Sequence, residues 1–255
     1  MVVNADGFIE TIAFSGIQHE FEIVIEDVCY LLHQQLSNLI HSIYIYGSVA
    51  EGCAVPYQSD LDLSIILTRP PLAQETNILE DIRKNMECAF PVVSKIDFDM
   101  GILSEIEAPE GKYSWGYWLK HHCKCLWGHD LSKNFEHFKP SRSIALAVNG
   151  DFNITLQNYI TRIEKNQTGE DIIRLQKEAA RKLIRSTNIL RRENDSDWPK
   201  TLEEHAAKVI ERHPESAIDV NYFLAGCHKT QSSSEQFVKR LKHIIKWIEK
   251  KSQKL

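Results

Sequence analysis

The chain has 255 residues, 43% of them hydrophobic and 25% charged, with a formal net charge of −5. These proportions fit a soluble globular protein of one large or two modest domains and exclude a general nucleic-acid binder held by a basic excess. No run of about eighteen apolar residues offers a membrane span. The first 16 residues, MVVNADGFIETIAFSG, lack a basic segment followed by an apolar core and so do not read as a secretory signal. The six cysteines stand singly or as Cys-x-Cys, without zinc-site or disulfide spacing, and are read as reduced cytosolic thiols, mostly buried. In His121-His122-Cys123-Lys124-Cys125 adjacent side chains would point in different directions on a helix, which favours a structural role over a metal site.

In chain order, residues 21–39 space Ile23, Ile25, Val28, Leu31, Leu32, Leu36 and Leu39 at helical intervals and predict a helix. Residues 43–46 form a short β-branched and aromatic run that stops at Gly47-Ser48. A second strand is predicted over 61–67, ended by Thr68-Arg69-Pro70-Pro71. Residues 79–90 read as helix, and 92–103 contain a third strand. Trp115 and Trp118, three apart on an expected helix beside Tyr113 and Tyr117, read as interdomain core rather than a stacking platform. From Ser141 onward the pattern is helical: 144–165, 171–192, 201–212 and 233–250. Breaks fall at Asn194-Asp195-Ser196-Asp197 before Pro199, and at Gln231-Ser232-Ser233-Ser234. The expected fold class is α/β + α: a mixed sheet with flanking helices over 1–135, then a helical bundle over 136–255.

The chemistry is concentrated in Tyr44-Ile45-Tyr46-Gly47-Ser48 and Ser59-Asp60-Leu61-Asp62-Leu63. Side chains alternate along a strand, so Asp60 and Asp62 face the same way. Two such carboxylates can clamp a hard cation such as Mg²⁺ and leave positions open for phosphate. The Gly47-Ser48 turn allows close backbone approach and adds a hydroxyl suited to the outer phosphates of a nucleotide. Ser94-Lys95-Ile96-Asp97-Phe98-Asp99 offers a third carboxylate from a neighbouring strand, to complete the metal shell or act as general base. Asp97 is chosen because it stands near the strand's start, with Asp99 as its partner or alternative.

Gly-Ser, eleven residues, Asp-Leu-Asp and a later acidic strand resemble the DNA polymerase β-like nucleotidyltransferase superfamily. The match is best to aminoglycoside O-adenylyltransferases of the streptomycin/spectinomycin type, which also place a helical bundle after the nucleotidyltransferase domain. Cys125-Leu126-Trp127-Gly128 is similar to a turn that this family carries after its core strands. The resemblance implies that Asp60 and Asp62 bind magnesium with Asp97 as catalytic base, and that Ser48 and Ser59 contact the nucleotide phosphates. It also implies that Arg185 and Lys200, in Arg181-Lys182-Leu183-Ile184-Arg185 and Trp198-Pro199-Lys200, hold the triphosphate. ATP would be the co-substrate and a small hydroxyl-bearing molecule such as an aminoglycoside the acceptor. The expected enzyme is cytoplasmic, a monomer or homodimer, with neither nucleic-acid nor membrane partners. Two further readings are nucleotidylation of a protein or RNA, and a non-catalytic nucleotide-binding relative.

Overall fold

The computed structural model describes residues 3–13, 16–165, 169–228 and 233–254, which pack as two units: 10–138, and 3–9 with 139–254. Residues 231 and 232 of the serine-rich break, and residues 1, 2, 14 and 15 of the N-terminal stretch, lie outside the described residues.

In the first unit, α1 (His19–Leu36) leads into β1 (Ile40–Tyr46), the one-turn α2 (Gly47–Ala50) and β2 (Leu61–Leu67). Then come α3 (Ala73–Ala89), β3 (Ile96–Ile102), α4 (Leu103–Glu107), α5 (Trp115–His122) and β4 (Lys124–Gly128). The sheet order is β3-β2-β1-β4, with β1 antiparallel to both neighbours and β2 parallel to β3. A parallel pair needs a long crossover, which α3 supplies. The three predicted strands are all present. The fourth, β4, falls where the sequence shows a turn: it is an edge strand with no buried position, so no hydrophobic alternation marks it. The turn itself follows at Gly128, whose φ of +83° and closeness to the backbone of His41 leave no room for a side chain.

Alternation along β2 divides the unit into layers. Leu61, Leu63, Ile65 and Leu67 face α1 and α3, where Val24, Val28, Leu32, Leu79 and Ile82 complete the larger core. Ile66, with Tyr44 of β1, packs under α4 and α5 against Ile106 and Leu119. Trp115 and Trp118 belong to this covering layer. The cysteines are all free, but only Cys123 and Cys227 are buried; Cys53 and Cys88 are exposed, against expectation.

The second unit is helical: α6 (Arg142–Asn149), α7 (Phe152–Lys165), α8 (Gly169–Ser186), α9 (Leu202–Arg212), α10 (Ala217–Gly226) and α11 (Ser234–Ser252). The single helix predicted over 144–165 is two, because the chain turns at Gly150, whose N–H closes α6 onto the Leu146 carbonyl at 2.7 Å. The helix predicted over 171–192 stops at Ser186 and tightens into a 3-10 turn over Thr187–Leu190. α10 escapes a sequence reading because its apolar residues surround the helix: Val220 and Phe223 are buried while Ile218 faces solvent. Phe152, Leu156, Leu183, Phe223, Leu241 and Ile245 are among the residues of its core.

Candidate functional site

The register of the sheet brings the acidic residues together. Tyr46 of β1 pairs with Asp62 of β2, and Asp62 pairs in parallel with Asp97 of β3. Cross-strand partners project to the same side, so Tyr46, Asp62 and Asp97 form one row across three strands. One pleat along lies the row Tyr44, Ser64, Asp99. Asp60 stands immediately before β2, beside the end of the first row.

Gly47 begins the turn after β1 with φ +73°, in the left-handed region, and a Cβ there would collide with the Asp62 carboxylate. The Gly-Ser turn therefore lies directly against the acid. Ser48 is half-buried, and its hydroxyl makes no hydrogen bond among the described residues. The Ser59 hydroxyl instead accepts the Val55 N–H at 2.9 Å and ties the loop before β2.

Burial, then the charges of Asp60 and Asp97, push the Asp62 carboxyl up to about 6; Lys95 acts in the opposite direction. The Lys95 ammonium stands 2.5 Å from Asp97 Oδ1, and the Ser94 hydroxyl donates to Asp60 Oδ1 at 2.5 Å. Sequence reading assigned no role to Ser94 or Lys95, although the parallel pairing of β2 and β3 necessarily places this entry loop beside Asp60. Loss of solvation raises the Asp99 carboxyl. The Tyr46 phenol is raised by burial and by the nearby charges of Asp62 and Asp99. Behind the acids an aromatic wall closes the sheet. Trp118 stands edge-on to Tyr46 at 4.9 Å between ring centres, donates from Nε1 to Ser64 Oγ at 3.1 Å and stacks on His122. Trp115 covers Gly101, where any Cβ would meet its ring.

Among the described residues, no three His, Cys, Asp or Glu side chains already stand in a metal-holding arrangement. Mg²⁺ typically takes one or two protein carboxylates and completes its shell with phosphate and water. The hard oxygen donors of Asp60, Asp62 and Asp97, the first and last of which raise the Asp62 carboxyl while Lys95 lowers it, fit such an ion.

Arg185 and Lys200 belong to the helical unit, on α8 and just before α9, and both are exposed. The Lys200 N–H donates to Glu204 at 2.8 Å. Near Arg185, the His205 imidazole is pushed down to about 4 by burial and then by the Arg185 charge.

The chain matches no family model and no curated protein. Among solved structures it is similar to spectinomycin adenyltransferase AAD(9) from Enterococcus faecialis, determined with ATP and spectinomycin. The two share 16% identity, and the match has a TM-score of 0.53 over 86% of this chain and 98% of that one. A toxin–antitoxin structure with AMP-PNP shares 15% identity over 57% of this chain and 93% of that one. Its TM-score is 0.31. The fold is thus shared with that adenyltransferase structure: a mixed sheet with flanking helices followed by a helical region.

Proposed function

We propose that this chain is a Mg²⁺-dependent nucleotidyltransferase that moves AMP from ATP to a hydroxyl of a small acceptor and releases pyrophosphate. One observation carries the reading: like-charged Asp60, Asp62 and Asp97 are gathered beside a glycine turn that leaves room for nothing but backbone. Three carboxylates gathered with a single lysine among them leave an excess of negative charge that a hard cation would offset. Asp60 and Asp62 would hold Mg²⁺ with Asp97 beside them. When bound, the ion would neutralise phosphate charge and polarise the α-phosphorus.

The chain's own residues supply the rest. Asp97 takes the proton of the acceptor hydroxyl as its oxygen bonds to the α-phosphorus, and the bond from that phosphorus to the bridging oxygen of pyrophosphate breaks. Lys95 fixes the position of the Asp97 carboxylate, and Ser94 that of Asp60. Ser48 offers its hydroxyl to the phosphates beside the Gly47 backbone, and Arg185 and Lys200 serve the triphosphate. Spectinomycin, present in the similar adenyltransferase structure, makes aminoglycoside-like antibiotics the first acceptors to test, with resistance as the biological outcome. Cytoplasmic action suits six free thiols, and no described helix is long and apolar enough to cross a membrane.

The test is incubation with α-labelled ATP, Mg²⁺ and a panel of aminoglycosides, with Asp62→Asn as the control. Labelled drug in the native protein and none in the variant is the expected result. No labelled product of any kind, or equal labelling by the variant, would remove the proposal; label on protein or RNA would reassign the acceptor.

A further inference from the structure

The acidic site carries a cation of its own, and the backbone sets where it starts. Lys95 stands immediately before β3, two residues from Asp97, so both side chains leave the same face of the strand. The parallel register that pairs Asp62 with Asp97 continues past the strand ends. There the Leu61 N–H donates to the Lys95 carbonyl at 2.9 Å, and the Ser94 N–H to the Ser59 carbonyl at 3.0 Å. Lys95 therefore lies across from Asp60 as Asp97 lies across from Asp62, and three acids and one base form a quartet. The Lys95 Nζ stands 2.5 Å from Asp97 Oδ1, and its charge also lowers the Asp62 carboxyl against the push of Asp60 and Asp97. Both partners of the ion pair are partly exposed, so the contact alone is weak. The ladder fixes the root of the lysine, and the acids fix its ammonium.

Transfer at phosphorus is often served by two metal ions about 3.5–4 Å apart, which stabilise the attacking and the leaving oxygen. Here Asp60 and Asp62 remain for one ion, while Asp97 already holds an ammonium. Three carboxylates less one ammonium leave two negative charges, which a single divalent ion neutralises. A second ion would have to displace Lys95 or bear its repulsion at close range. An ammonium can serve the attacking oxygen as such an ion does. It is a compact charge with three rotatable donors and no acceptor, so it can hold a hydroxyl and stabilise the negative charge that develops there. We infer that the Lys95 ammonium takes the place of a second metal ion, so that the site works with one divalent cation. The bonds made and broken are unchanged: the acceptor proton goes to Asp97, the acceptor oxygen bonds to the α-phosphorus and pyrophosphate leaves. This role for Lys95 rests on the nucleotidyltransfer reading of the same acids.

Counting bound ions tests this role without turnover. The full chain is titrated with Mn²⁺ in the presence of α,β-methylene-ATP, which cannot be cleaved between its α and β phosphorus atoms, and bound Mn²⁺ is followed by electron paramagnetic resonance. The native protein should take up one Mn²⁺ per chain, with the signal of an isolated ion. Lys95→Met should take up two, with the broadened signal of ions close enough to couple, and Lys95→Arg should return to one. The side chain is partly exposed, so Lys95→Met should melt as the native chain does. The dependence of rate on Mg²⁺ should follow the same count, with a Hill coefficient of about 1 in the native protein and about 2 in Lys95→Met. Two coupled Mn²⁺ in the native complex, or a single Mn²⁺ in Lys95→Met, would overturn the role of Lys95 while leaving the acids a metal site. No Mn²⁺ bound by either protein would instead remove the metal-dependent reading itself, and the role of Lys95 with it.

Discussion

Replacing Asp62 by Asn should remove transfer and make the protein more stable, and the two effects have one cause. The native carboxyl is raised from 3.8 to about 6 by burial and by the neighbouring charges of Asp60 and Asp97. A shift of about two pH units corresponds to about 3 kcal/mol of charge penalty. Asp62 keeps part of its surface in water, so screening reduces this to about 1–2 kcal/mol. Asn has nearly the same shape and no charge. Its introduction should therefore raise the unfolding midpoint of the sheet unit by roughly 3–8 °C at neutral pH.

The sign follows from proton binding. Below 3.8 Asp62 is protonated in both folded and unfolded chains and costs nothing. Between 3.8 and about 6 the folded chain retains a proton that the unfolded chain has lost, so native stability falls as pH rises. Above about 6 the penalty is complete and constant. Thermal unfolding of the two proteins across pH should show curves that coincide near pH 4 and separate by pH 7, with Asn above. Mg²⁺ should then stabilise the native chain more than the variant, narrowing the gap. Parallel curves, or an Asn variant less stable at neutral pH, would refute the claim that repulsion at Asp62 is held in the fold.

Ser94→Ala should raise the Mg²⁺ concentration for half-maximal transfer about tenfold by freeing Asp60 to rotate, while Ser94→Thr restores it; a titration of rate against Mg²⁺ decides. Gly47→Ala should abolish transfer and lower stability by about 1–2 kcal/mol, since the added methyl meets Asp62 and the backbone sits at φ +73°, both visible in activity and melting assays. Arg185→Ala and Lys200→Ala should each raise the KM for ATP about tenfold with a smaller change in kcat, and an unchanged KM would end their assignment to the triphosphate.

The sheet was legible where burial imposed a period. Leu61, Leu63, Ile65 and Leu67 are buried on one face, and the alternation they leave in the sequence defines both the strand and the placement of Asp62 opposite them. At β4 no position is buried, so the local pattern carries no strand signal and only pairing with β1 makes the strand. The same reasoning separates the residues of the site. Gly47, Asp60 and Asp62 stand close in sequence and could be read together. Ser94 and Lys95 act on Asp60 and Asp97 through a parallel register that lies beyond any local pattern.

Composition failed in a different way. A sum over 255 residues cannot distinguish an evenly acidic surface from an acidic body with one basic helix, yet the two have different fields at their surfaces. Within a Debye length of about 8–10 Å, a charge near Lys246 responds chiefly to its helix neighbours Lys242, Glu249 and Lys250, and charges farther off are screened by salt. Net charge therefore bears on solubility and long-range steering, while recognition depends on charge counted over a patch of Debye dimensions. Applied to α11, that count gives +5 over residues 234–254 against −10 for the rest of the chain, a separation that the total of −5 conceals.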